Sequence, residues 1–260
     1  MRPPPGLIAS SLSFSDGIWQ GGSDPALEAA YHEVRLREGR LLDDAIVRDL
    51  PFSGERTAHR QEWLARRASM RRLLRGLRKE QRSMTVLDVG CGNGWLAARI
   101  AALGHQVVGI DAHRSELEQA ARVFGYERMW WVQGDAASND LARGSFDRIL
   151  IGAALQYFER PMELLDHFMN ALSPKGELHV FDSPLYANST DRDRAGQRTL
   201  EYYRAMDVPD MMSHYHHHTF EEVMPRGIAC SVSHPVRMAR WLVQLGLAVR
   251  VFPYVIFRNG

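Results

Sequence analysis

Cysteine is nearly absent from this chain. Cys91 and Cys230 are its only two among 260 residues, too few and too far apart for a disulfide framework, so both are expected as reduced thiols and the apolar core must hold the fold. Charge of one sign is missing as well. Thirty-two Lys and Arg against 31 Asp and Glu leave a formal net of +1, which supplies no whole-chain argument for nucleic acid or a membrane surface. No apolar run approaches the roughly 20 residues of a spanning helix. The basic start Met1-Arg2 is followed by an apolar stretch too short for a secretory signal, and the expected compartment is the cytoplasm. No internal repeat is present.

What remains is a composition of 45% hydrophobic residues, enough for one sizeable core, and one run that stands out. Val86-Leu87-Asp88-Val89-Gly90-Cys91-Gly92-Asn93-Gly94 reads as a strand that ends in a carboxylate and three alternate glycines before a helix opens at Trp95. Glycine lets a backbone turn sharply and approach a ligand, and the following helix aims N–H groups at the same place. A dinucleotide fold would show G-x-G-x-x-G; here the pattern is D-x-G-x-G-x-G, and a carboxylate before the first glycine suits a ligand with positive charge. Two further strands follow at βαβ spacing. Gln106–Asp111 ends in Asp111 about 20 residues after the glycines, where two oxygens can accept from both hydroxyls of a ribose. Met129–Gln133 leads into Gly134-Asp135, and a fourth strand, 145–152, exits through Ala153-Ala154-Leu155-Gln156-Tyr157.

These four elements resemble, in order and register, the motifs of the class I S-adenosylmethionine-dependent methyltransferases over about residues 84 to 183. The resemblance implies an α/β fold: a Rossmann-like, doubly wound, mostly parallel sheet of seven strands, here with a short last hairpin. It implies S-adenosylmethionine as cofactor and S-adenosylhomocysteine as product. Asp88, Gly90, Cys91, Gly92, Asn93, Gly94 and Trp95 would hold the amino-acid end, Asp111 and Ala112 the ribose, and Gly134, Asp135 and Ala136 the adenine. Gly152, Ala153 and Gln156 would line the pocket beside the methyl group, with Tyr157 facing the reacting centre.

Outside that core we read three further parts. Residues 1–83 form an arm, loose over 1–23, and a helical lid with helices from Asp24-Pro25 to Arg37, from Leu41 to Leu50 and from about Thr57 to Lys79, with a break expected at Gly76. Residues 184–233 are a polar and aromatic insertion expected to bind the substrate. Residues 234–260 supply a helix over Pro235–Leu245 and the last two strands within 247–257. Substrate contacts are expected from Tyr31, Arg35, Trp63, Arg67, Tyr157, Tyr186, Tyr202, Tyr203 and Tyr215. His214, His216 and His217 join Tyr157 as catalytic candidates, because an imidazole titrates near neutrality and can take a proton from an attacking hydroxyl or amine. No acidic or cysteine partners accompany the histidines at ligand spacing, so no metal is expected.

The third helix carries Arg56, Arg60, Arg66, Arg67, Arg71, Arg72, Arg75, Arg78, Lys79 and Arg82. Three readings stand for it: an amphipathic helix with a solvated basic side, a wall that holds an acidic substrate, or a helix that docks transiently at a membrane surface. The expected function is methyl transfer to oxygen or nitrogen of a small natural-product, sugar or lipid-linked acceptor. The alternatives are an RNA or protein methyltransferase, and a non-catalytic cofactor-binding scaffold using the basic helix. The absence of an Asn-Pro-Pro-Tyr-type tetrapeptide after the fourth strand argues against amino-methylation of bases or glutamine.

Overall fold

Short runs of Val, Ile and Leu that end in Asp or Gly place five parallel strands at the centre of the molecule. In the computed structural model, residues 2–8, 12–22, 24–137, 141–224, 229–233 and 252–259 are described. In chain order the strands are β1 (Ser13–Ser15), β2 (Ile18–Gln20), β3 (Thr85–Val89), β4 (Gln106–Asp111), β5 (Met129–Gln133), β6 (Phe146–Gly152), β7 (Leu172–Phe181), β8 (Leu185–Tyr186), β9 (His218–Thr219), β10 (Ala229–Ser233) and β11 (Tyr254–Arg258). The helices are α1 (Pro25–Arg37), α2 (Asp44–Arg48), α3 (Arg60–Leu77), α4 (Trp95–Ala101), α5 (Arg114–Phe124), α6 (Pro161–Ala171), α7 (Ser189–Ala205) and α8 (Phe220–Val223).

The main sheet runs β1-β2-β5-β4-β3-β6-β7-β11-β10, with β2 to β7 parallel and antiparallel pairs at both edges. Strand order reverses between β3 and β6, the switch point where such sheets open a crevice at their carboxyl ends. Alternating side chains cover both faces. Val86, Val107, Trp131 and Leu150 pack with α3, α4 and α5 on one side, while Leu87, Val108, Val132 and Ile149 pack with α6 on the other. No helix among the described residues is long and apolar enough to cross a membrane.

The doubly wound, mostly parallel plan is the expected one, but the sheet has nine strands where seven were expected. Two of them come from the supposed loose arm. Asp16 (φ 54°) and Gly17 (φ 81°) make a two-residue hairpin turn, and β2 then joins β5 in parallel, burying Ile18 completely on one face of the sheet and Trp19 on the other. The last hairpin also differs. Its first strand is β10, inside the stretch assigned to the insertion, and only β11 falls near the expected 247–257. The helix expected over 235–245 lies outside the described residues. α3 passes Gly76 unbroken because nothing crowds that position and the helix ends one residue later.

A separate apolar cluster forms the cap. Ala30 and Val34 of α1 pack with Tyr203 of α7 and with Val208 and Met211 beside the short 3-10 turn Pro209–His214. Arg37 donates to the Met206 carbonyl and the Tyr202 hydroxyl to Glu38 Oε1 at 2.6 Å, tying α1 to α7.

Candidate active site

At the carboxyl ends of β3 to β7, beneath α1 and α3, lies a cavity of about 670 Å³. The turn after β3 forms its floor. Gly90 (φ 68°) approaches β6 so closely that a Cβ there would sit 2.5 Å from the Ala154 Cβ, and Gly92 (φ 52°) leaves only 2.8 Å between such an atom and Glu116 Oε2. Gly94 caps α4 and stays out of the lining. The Gly90 and Cys91 N–H groups donate to the Ile110 carbonyl, which docks the turn on the end of β4.

Three carboxylates meet there. Asp88 is 2% exposed and its Oδ2 has no hydrogen-bond partner; burial and the charge of Asp111 push its pKa up to about 7. Asp111 accepts from Gly92 N–H and His113 N–H, both at 2.8 Å, and burial with the nearby Glu116 charge still raises its pKa. Both oxygens expected for a ribose are therefore already holding backbone, each with a lone pair to spare. Glu116, from the first turn of α5, was not anticipated. Its apolar-face position in α5 gives no hint that the carboxylate turns into a cavity. Asp135 accepts from Ala137 N–H at 2.9 Å and its own N–H donates to the Gly22 carbonyl at 3.2 Å, so the chain leaving β2 fixes this loop.

The roof comes from the cap. Tyr31 and Arg35 of α1 enter with the Arg35 guanidinium 4.8 Å over the Tyr31 ring, and Tyr31 meets Tyr157 edge-on at 5.5 Å. Burial raises the Tyr31 and Tyr157 pKa values, so both stay phenols. Trp63 stands edge-on to Trp95 at 5.7 Å and carries Arg66 over its face. Glu62 holds Arg40 at 2.8 Å and Arg66 at 3.1 Å; burial alone would raise its pKa, but the two guanidinium groups bring it down to about 2. Asp182, just past β7, was likewise not anticipated. It has φ 55°, faces the cavity, takes a 2.6 Å hydrogen bond from the Ser69 hydroxyl, and has a pKa raised by burial. Ala153 beside it is also left-handed, at φ 58°.

Of the residues singled out from the sequence, Asp88, Gly90, Cys91, Gly92, Asn93, Trp95, Asp111, Ala112, Gly134, Asp135, Ala136, Gly152 and Ala153 line this cavity, with Tyr31, Arg35, Trp63, Tyr157 and His214. Gln156 does not; it is buried behind the wall and donates to the Ala153 carbonyl at 2.7 Å. His216, His217 and Tyr215 line a second, more open cavity of about 720 Å³ instead. His217 bonds Tyr186 at 3.2 Å, and burial lowers its pKa to about 4, so the ring is neutral. Arg67 pairs with Glu55, while Tyr202 and Tyr203 belong to the cap, so none of the three reaches the main cavity. Among the described residues no group of three or more His, Cys, Asp or Glu is placed to hold a metal.

Residues 86–176 match the family model described as a methyltransferase domain. An uncharacterized methyltransferase of Mycobacterium tuberculosis is 34% identical over 95 residues, 36% of this chain and 48% of that protein. A ubiquinone biosynthesis O-methyltransferase of Xanthomonas oryzae is 38% identical over 99 residues, 36% of this chain and 41% of that protein. The match thus spans about half the length of these curated relatives or less. Among solved structures, an S-adenosylmethionine-dependent methyltransferase of Mesorhizobium loti superposes with TM-score 0.52 at 21% identity, covering 76% of this chain and 97% of that one. A phosphoethanolamine N-methyltransferase of Haemonchus contortus, solved with phosphomonomethylethanolamine and S-adenosylhomocysteine, gives 0.51 at 17%, covering 74% and 52%.

Proposed function

We propose that this chain, whose residues 86–176 match a methyltransferase domain and whose fold is shared with an S-adenosylmethionine-dependent methyltransferase, is a class I S-adenosylmethionine-dependent methyltransferase that transfers a methyl group to an oxygen or nitrogen of a small molecule. The observation that carries this is the cavity roofed by α1 and α3, in which the residues suited to the cofactor and a set of aromatic and ionisable side chains face the same space.

The residues fit the cofactor. Glycine at 90 lets the turn pack directly on Ala154 and puts its backbone in the cavity wall, and the unpartnered Oδ2 of Asp88 offers an acceptor to an ammonium. Asp111 would take the ribose and the Gly134–Ala136 loop the adenine. When bound, S-adenosylmethionine supplies a methyl group made electrophilic by the sulfonium. Protein groups then have to orient the acceptor, exclude water and accept its proton, with orientation worth up to roughly 7 to 11 kcal/mol. Tyr157, Trp63 and Tyr31 would clamp the acceptor between ring faces and edges. Asp182, held by Ser69, and His214, at the rim 3.9 Å from Asp24, would be the groups that take the proton.

A polymer substrate has less in its favour. The exposed cations Arg71 and Arg75 of α3, and Arg78 and Lys79 just past its end, contribute nothing to the cavity wall. Calorimetric titration with S-adenosylmethionine and S-adenosylhomocysteine tests the proposal, alongside Asp111→Ala. Saturable binding that the variant loses is the expected result, followed by a screen of hydroxyl- and amine-bearing metabolites for turnover; no binding by the wild type would sink it.

A further inference from the structure

Among the described residues, several buried side-chain nitrogen or oxygen atoms lack a hydrogen-bond partner, and those on Arg35, Asp88, Glu116 and His167 belong to residues in the wall of the main cavity. Burying a polar or charged group without a partner is costly, so such a concentration calls for a ligand that completes it. Glu116 is the sharpest case. It is 6% exposed, its Oε2 has no partner, and its Oε1 stands 3.7 Å from Arg35 Nε, too long for a hydrogen bond. Arg35 Nε is itself unpartnered. A strut between α1 and α5 would close that distance and satisfy both ends. This pair does neither, and as an isolated structural device an apolar pair of the same size would serve as well or better.

Position gives the ligand's chemistry. Glu116 Oε2 lies against Gly92, whose N–H is held by Asp111 Oδ2, so the two carboxylates flank one spot on the floor. Asp111 is committed on each oxygen to a backbone N–H, whereas Glu116 Oε2 is uncommitted. We propose that Glu116 is a second ribose-binding residue, accepting from a hydroxyl of the nucleoside beside Asp111, and that Arg35 is the counter-ion by which α1 is drawn down over that contact. This rests on the reading of the cavity as an S-adenosylmethionine site. It assigns to α1 a tie to the nucleoside through Glu116, in addition to its place over the acceptor.

The test uses S-adenosylhomocysteine and its 2′-deoxy and 3′-deoxy analogues, titrated into the full chain and into Glu116→Met, Glu116→Gln and Arg35→Met. The wild type is expected to prefer the ribonucleoside over at least one deoxy analogue by about tenfold or more, the size of one hydrogen bond to a charged group. Glu116→Met should weaken S-adenosylhomocysteine by a similar factor and erase that preference. Arg35→Met should weaken all three ligands together and keep it. Equal losses for ribo and deoxy ligands in Glu116→Met, or none, would overturn the proposal and leave Glu116 a structural residue. If Glu116→Met fails to fold by circular dichroism, the preference of Glu116→Gln decides by the same criterion. A wild type that binds neither S-adenosylmethionine nor S-adenosylhomocysteine overturns the underlying reading instead, an outcome the variants cannot mimic.

Discussion

At the scale of single residues the cavity floor is set by strain and by unpaired charge. Gly90→Ala would force a left-handed alanine and press its Cβ to 2.5 Å from Ala154, and we expect a loss of about 2 to 4 kcal/mol in urea denaturation. Asp88 gives a pH dependence with a definite sign. Its folded pKa, about 7, lies above the unfolded value, so the stability it contributes is complete below about pH 4 and is lost as pH rises through 7. Thermal midpoints of the ligand-free protein should therefore decline less over that window in Asp88→Asn than in the wild type. Glu62 works in the opposite direction. Held at about 2 by its arginine partners, it adds stability above its unfolded pKa that disappears as pH falls toward 2. Asp182→Asn should leave S-adenosylhomocysteine affinity within about twofold and abolish turnover of any acceptor found, if it takes the acceptor's proton. The carboxylates at the ends of β3 and β4, Asp88 and Asp111, were legible because each closes an apolar run. Glu116 and Asp182 were not, since their roles come from partners far away in sequence, Arg35 for one and Ser69 for the other.

At the scale of elements, what was readable followed hydrophobic contrast. Strands β3 to β7 are apolar runs bounded by Gly and Asp, and Asp24 caps α1 by accepting from Ala26 N–H, as an Asp-Pro pair announces. The β1–β2 hairpin carried an equally plain signal in Asp16-Gly17 between Phe14 and Ile18-Trp19, obscured by the serine and glycine around it. β10 offered much less, because Ala229-Cys230-Ser231-Val232-Ser233 has little apolar contrast and owes its place to pairing with β11. Ile18 measures how far the hairpin belongs to the core. Fully buried against α3 and α5, it should cost about 2 to 5 kcal/mol when replaced by alanine, where a loose arm would cost nothing; chemical denaturation distinguishes the two.

For the molecule as a whole, α1 is tied to the sheet through Glu28, which accepts from the Arg114 N–H at 2.9 Å and from Gln133 Nε2 at 3.2 Å, and the chain leaving β2 is tied to the cavity wall through Gly22, which accepts from the Asp135 N–H. Binding of S-adenosylhomocysteine should accordingly slow amide hydrogen exchange in 25–37 and 134–137 while leaving 229–233, at the far edge of the sheet, unchanged. The edge-on pair Trp63 and Trp95 in the cavity wall has a practical consequence. Trp131 packs behind the same turn, so the intrinsic emission of the protein should change when the cavity fills, an optical readout of occupancy that needs no label.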